Sequence, residues 1–161
     1  MVQLIKVGMA DLKVACHPSI LTTLGLGSCV GIALYDTRKK VIGLAHIMLP
    51  DSKIAANAVN RAKFADTGIS DLVKEMMGAG ADKKNIVAKI AGGAQMFAFT
   101  SINETLKIGP RNAEATRAIL SGMGIPILAE DTGGNCGRTI EINSEDGKLM
   151  IRTIGLGIKY I

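Results

Sequence analysis

Two histidines and three cysteines make up the nucleophile-and-base inventory of this 161-residue chain, and one pairing among them suits a shared site. Cys29 lies in "TTLGLGSCVGIALYD", among glycines and small polar residues rather than the large aliphatic neighbours of a packing thiol. His46 is the only strongly polar side chain in the apolar run "VIGLAHIML". The two fall on consecutive predicted strands joined by a turn at residues 37–40, and a suitable antiparallel register brings them within reach. A free thiol, with a pKa of roughly 8.5, is mostly protonated at neutral pH, whereas the attacking species is the thiolate. A neighbouring imidazole takes the proton, giving a thiolate–imidazolium pair, and later hands it to a departing amine. Gly27 leaves the backbone open to a carbonyl substrate, and the N–H groups of Ser28 and Cys29 are placed to receive an oxyanion. A third group must fix the imidazole tautomer, and Thr22 and Thr23 both lie within a strand's distance. The same spacing also suits a site in which Cys29 only packs.

The remaining candidates separate from this pair. Cys16 and His17 are adjacent, so an extended segment sends them to opposite faces. Cys16 shares a face with Leu12 and Val14 and is expected to pack, while His17, before Pro18, is expected in a loop. Cys136 belongs to the polar, glycine-rich "DTGGNCGR", residues 131–138, read as a mobile loop. The glycines of "GLGSCVG" are mis-spaced for a dinucleotide fingerprint, and a β-like run follows where a helix must begin. Cysteines and histidines are too dispersed for a zinc site.

Elements that could position these residues follow from the pattern. "QLIKVGMADLKVAC" reads as two short strands about a turn near residues 8–11, and "TTLGL" and "CVGIALYD" as successive strands meeting at "GLGS". "VIGLAHIML" is a buried strand stopped by Pro50 and Asp51. Over residues 60–77, Phe64, Ala65, Ile69, Leu72, Val73 and Met76 recur at helical spacing, ended by Gly78 and Gly80. "NIVAKIAGG" is a strand, Pro110 opens a second helix as its first residue, and "IPILAE" is a further buried strand. "RTIEINSEDGKLMIRTIGL" is a hairpin about residues 144–147. The fold class is α+β: one domain over residues 1–161, a layered α/β sandwich with mixed or antiparallel sheets and two main helices.

Composition narrows the function classes. At 48% hydrophobic and 3% aromatic, with 19 glycines, the chain supports an aliphatic core with many tight turns. The net charge of +5 is scattered, and its densest run, Arg38-Lys39-Lys40, reads as a turn. Without a basic face interleaved with aromatics, no nucleic-acid partner is expected. Residues 14–35 carry no Asp, Glu, Lys or Arg, yet His17, Pro18, several hydroxyls and glycines break them into strands, so membrane insertion is not expected. No secretory signal pattern opens "MVQLIKVGMADLK", and three cysteines without framework spacing fit reduced thiols in a cytosolic protein.

Five blocks, "GLGSCVGIALYD", "GLAHIMLP", "GGAQMF", "IGPRN" and "DTGGNCGR", stand in an order and spacing that resembles the CheD family, the chemoreceptor glutamine deamidases of bacterial and archaeal chemotaxis. The resemblance covers nearly the whole chain. It implies a sandwich similar to that of toxin deamidases with a Cys–His pair. It implies the catalytic set Cys29, His46 and Thr23, not Thr22, hydrolysing protein-bound glutamine through a thioester without metal or organic cofactor. Methyl-accepting chemotaxis receptors are the implied substrates, the CheC phosphatase an implied partner, and the cytoplasm the implied compartment. Pro110 departs from the pattern at a position where a charged residue is expected. "AGGA" reads as a strand-ending turn, Arg111 and Asn112 as a helix start, and the eight methionines as gap-fillers. Two rival readings are a cysteine peptidase or amidase of other specificity, and a regulatory binding partner of a CheC-type phosphatase with little catalysis of its own.

Overall fold

The structure is a computed structural model that describes residues 1–57, 59–96 and 107–161. Among these, ten strands build two five-stranded sheets. The first has the order β1 (Gln3–Lys6), β3 (Ser19–Leu26), β8 (Arg138–Asn143), β9 (Leu149–Thr153), β10 (Gly157–Tyr160). The second has the order β2 (Asp11–Cys16), β5 (Val41–Ile47), β4 (Val30–Asp36), β6 (Ile86–Gly92), β7 (Ile127–Thr132). Neighbours are antiparallel except β1 with β3 and β6 with β7.

Helices α1 (Ala65–Gly78) and α2 (Ile108–Gly122) cover one face of the second sheet, and the first sheet covers the other. Ile69, Leu72, Val73 and Met76 of α1 sink into the helix-side core with Val41, Ala45 and Ile47; each such side chain contributes on the order of 2 kcal/mol by leaving water. The inter-sheet core gathers Leu21, Leu26, Ala33, Ile42, Leu44, Ile140 and Ile151. Strands β4 and β5 are therefore buried on both faces, which accounts for their unbroken apolar sequences. No described helix is long and apolar enough to cross a membrane.

The α+β sandwich with two helices stands as the sequence implied, and several boundaries move. The two strands of "QLIKVGMADLKVAC" enter different sheets. Helix α1 begins five residues later than its spacing suggested. Asn60 caps a separate 3-10 turn, Arg61–Lys63, and Phe64 stays extended in a parallel bridge to Leu49. Pro110 is the third residue of α2, not the first, because no N–H of a first helical turn has an intrahelical acceptor to lose. Strand β7, read as buried, is an edge strand with Leu128 exposed, and β10, absent from the sequence reading, is an exposed edge. Cys16 does not pack: it is exposed at the end of β2, its Sγ beside the Ala79 carbonyl.

Strand β6 closes on Gly92, whose φ of 115° lies in the region L side chains avoid, and a Cβ there would run into the Cys29 carbonyl. Gly92→Ala is expected to cost ~2–5 kcal/mol, combining left-handed strain with a backbone collision. Gly133→Ala, with φ of 85° but no atom within 4 Å of the new Cβ among the described residues, should cost only the strain. Urea unfolding of both variants checks this, and equal losses would refute the close approach.

Candidate active site

Residues 25–29 carry the chain from the first sheet into the second. A bulge between Thr23 and Leu26 and a φ of 73° at Gly25 turn the corner. Beyond it, β4 and β5 pair with Gly31 opposite His46 and Val30 opposite Ile47. Cys29, in the bend just before β4, thus shares the face of Gly31 and stands one diagonal step from His46, a separation of ~7–8 Å between backbones that side chains can span. Gly31 is the residue directly facing His46, and the space its side chain would fill is taken by Ile140 and Leu26 of the first sheet. Cys29 is 7% exposed and groups with Ala33, Ala91 and Ile140 between the sheets.

Thr23 reaches this point from the opposite sheet. Its hydroxyl donates to the Val7 carbonyl at 2.8 Å and lies 2.7 Å from His46 Nδ1. A hydroxyl has one proton, so with that proton on Val7 the oxygen accepts from Nδ1–H. The imidazole is then the Nδ1–H tautomer, and Nε2 carries the lone pair. Nε2 is buried with no hydrogen-bond partner among the described residues. Burial pushes His46 down to about 4 and raises the Cys29 thiol, the latter opposed by the Cys29 main-chain N–H beside the sulfur. Both effects favour neutral thiol and neutral imidazole over the charge-separated pair expected from sequence.

The bend that holds Cys29 is pinned through its carbonyls. Gly93 N–H donates to the Cys29 carbonyl at 2.8 Å, and Ala94 N–H to the Gly27 carbonyl at 2.9 Å. Asn112 Nδ2 donates to the Ser28 carbonyl at 2.9 Å and to the Met48 carbonyl at 2.9 Å. The N–H groups of Ser28 and Cys29 meet no main-chain acceptor among the described residues. Arg138, also buried, ties residues 131–138 to the same corner through the carbonyls of Gly92 and Gly133 and an ion pair with Asp131.

Thr23 and His46 therefore meet directly, and Cys29, with Gly27 and Ser28 beside it in the bend, stands on the same inter-sheet face with no Sγ–Nε2 hydrogen bond formed among the described residues, while the other sequence candidates lie elsewhere. Thr22 faces away and donates to the Ile140 carbonyl at 2.9 Å. His17 sits against Ser144 Oγ, and Cys136 beside Asn135. The sequence reading takes Asn112 only as part of a helix start and misses its contact with the bend; it is the fifth residue of α2. It falls on the buried stripe of α2 with Gly109, Ala113, Thr116 and Leu120, and a polar residue on that stripe was the available signal.

A family model described as CheD chemotactic sensory transduction matches residues 48–153. The chain belongs to the CheD family. That match begins just after His46, and full-length relatives extend the likeness over the corner described above. A protein of Caldanaerobacter subterraneus subsp. tengcongensis, named "Probable chemoreceptor glutamine deamidase CheD", is 57% identical across 99% of this chain and 98% of its own. One of the same name from Lachnoclostridium phytofermentans is 58% identical over 99% of each. "Chemoreceptor glutamine deamidase CheD" of Halalkalibacterium halodurans is 53% identical over 98% of each. Among solved structures, a DUF152-family protein of Neisseria meningitidis superposes with a TM-score of 0.54 at 10% identity, over 83% of this chain and 65% of that one, a likeness of fold alone.

The burial of a neutral His46 sets a pH dependence of stability. The unfolded chain presents an imidazole of pKa about 6.5, the native protein one of about 4. Between these values the unfolded state holds a proton the native state lacks, so stability rises with pH across the window and is lost on acidification. The amount is on the order of 3 kcal/mol. In His46→Gln the slope between about pH 4 and 6.5 should flatten in urea titrations at stepped pH; an unchanged slope would assign the effect elsewhere.

Proposed function

We propose that this protein is a chemoreceptor glutamine deamidase, with Cys29 as nucleophile, His46 as general base and acid, and Thr23 as the group that orients His46. The observation that carries the reading is His46 Nε2, buried without a hydrogen-bond partner among the described residues on a strand face shared with Cys29, while Nδ1 is held by Thr23. Near-full-length relatives named for this activity support the substrate class.

The steps follow from the charge states. With both groups neutral at rest, the thiol proton passes to Nε2 as Sγ attacks the side-chain carboxamide of glutamine. The resulting oxyanion is received by the N–H groups of Ser28 and Cys29, the latter already beside the sulfur. Imidazolium then delivers its proton to the departing nitrogen, ammonia leaves, and a thioester remains. His46 next takes a proton from water as it adds to the thioester, and collapse releases glutamate and restores the thiol. Every step uses protein groups and water. Gaining a carboxylate changes the charge of the receptor segment and so its packing against neighbours. The reading places the protein in the cytoplasm, with a CheC-type phosphatase as a further partner. The loop expected at residues 131–138 is shorter, since β7 runs to Thr132 and β8 starts at Arg138, and its residues 133–137 take the role of flanking the substrate peptide.

Cys29→Ser should fold and lose turnover, because a neutral imidazole ionises little of a serine hydroxyl. The measurement is conversion of glutamine to glutamate in receptor cytoplasmic helices by mass spectrometry, with ammonia release; near-native conversion by the variant removes Cys29 as nucleophile. Peptide cleavage without ammonia from the parent protein would turn the reading toward a peptidase.

Thr23→Ala removes the partner of both Nδ1–H and the Val7 carbonyl in a fully buried site. Turnover should fall by ~10–100-fold, and stability by ~1–3 kcal/mol, more than a threonine that only positioned a ring at the surface. Thr22→Ala loses one hydrogen bond to a carbonyl and should keep turnover near the parent's. Rates and thermal melts of both variants decide; equal turnover in Thr23→Ala and the parent excludes Thr23 from the set.

A further inference from the structure

We infer that Asn112 is a positioning residue that aims the oxyanion-binding peptide of this site, an inference that rests on the deamidase reading above. The Ser28 carbonyl and the Cys29 N–H belong to one peptide unit, and in a trans peptide they point in opposite directions. Asn112 Nδ2 holds that carbonyl at 2.9 Å from the α2 side. The N–H is thereby turned away from α2, and a peptide whose oxygen accepts a hydrogen bond is a stronger donor at its nitrogen. The second proton of the same amide goes to the Met48 carbonyl, two residues beyond His46. One rigid amide plane thus ties the Cys29 peptide to the strand that carries the base.

Two further features separate this from ordinary helix packing. The acceptors on both sides of Nδ2 are carbonyls, so the amide has one possible orientation, and it leaves Asn112 Oδ1 buried with no donor among the described residues. Leaving such an oxygen without a donor is destabilising, whereas an apolar side chain on this stripe of α2 would carry no such cost. The helix is also seated at a fixed height: a side chain at Gly109 would collide with the carbonyls of Ala94 and Gly93, the segment whose N–H groups hold Cys29 and Gly27. Asn112 is 0% exposed, and Thr116 caps its main-chain carbonyl at 2.8 Å.

The test compares the parent chain with Asn112→Ala and Asn112→Asp on receptor cytoplasmic helices, measuring kcat and KM for deamidation. Iodoacetamide alkylation of Cys29 and thermal melts are measured alongside. Alkylation develops no oxyanion and reports the thiol alone. In Asn112→Ala, kcat should fall ~10–100-fold while KM and the alkylation rate stay within about threefold of the parent. A folded Asn112→Ala with kcat within about threefold overturns the inference, and so does an alkylation rate that falls in step with kcat, which would put the effect on the thiol. If Asn112→Ala does not fold, Asn112→Asp decides. Its neutral carboxyl keeps one donor and its ionised form repels both carbonyls, so kcat should drop with rising pH relative to the parent while melts show a folded protein. A pH profile parallel to the parent's overturns the inference. A folded parent that converts no glutamine refutes the deamidase reading and this inference with it, and that outcome is visible in the parent alone.

Discussion

A hydroxyl has a single proton to give, and Thr23 gives its own to the Val7 carbonyl. That choice makes the oxygen an acceptor toward His46 Nδ1, fixes the tautomer, and leaves the buried Nε2 lone pair without a partner among the described residues. The bond also joins the two sheets, since Thr23 belongs to β3 and His46 to β5. Its geometry therefore depends on how the sheets stack, and the inter-sheet core of Leu21, Leu26, Ile42, Leu44 and Ile140 is what holds them in register. The interaction that orients His46 is also one that specifies the sandwich.

Burial on this scale has an electrostatic consequence. β4 and β5 are covered by helices on one side and by a sheet on the other, so anything polar between them pays for desolvation. His46 responds by staying neutral far below the usual imidazole range, and Cys29 by holding its proton. In the proposed mechanism, a resting site of neutral groups keeps the Cys29 thiol protonated, and transfer of its proton to Nε2 is coupled to arrival of a carbonyl whose oxyanion the bend would receive.

The bend works by exhausting its acceptors. Gly27, Ser28 and Cys29 each have their carbonyl held, by Ala94, Asn112 and Gly93 respectively, so the peptide planes between them cannot rotate. Among the described residues, the N–H groups of Ser28 and Cys29 are left without a main-chain acceptor. Arg138 adds stiffness from the far side, binding the Gly92 carbonyl next to the segment that holds Cys29. Three stretches distant in sequence, residues 92–94, 112 and 138, converge on one turn, and each appears in a block shared with the family resemblance.

Much of this was legible in the chain alone. Continuous apolar runs announced β4 and β5, because strands buried on both faces have no polar face to alternate with. A histidine inside one run and a cysteine among glycines before the other stood out against that background, and the short turn at residues 37–40 required the two strands to be neighbours. The helical spacing of Ile69, Leu72, Val73 and Met76 was equally plain. Boundaries were not, because Phe64 is held extended by Leu49 and Asn60 caps its own short turn, both tertiary matters. Cys16 shows the limit from the other side: alternation placed it on a face with Leu12 and Val14 but could not say that the cover ends before it. Whether Thr22 or Thr23 meets the histidine depends on which face of β3 looks across the sheet gap, and the role of Asn112 on where α2 comes to rest. Local sequence determines which residues can do chemistry and which strands they ride on, since periodicity and turns act over a few residues. Only the stacking of two sheets and a helix decides which donors and acceptors meet, because those contacts join positions as far apart as 28 and 112.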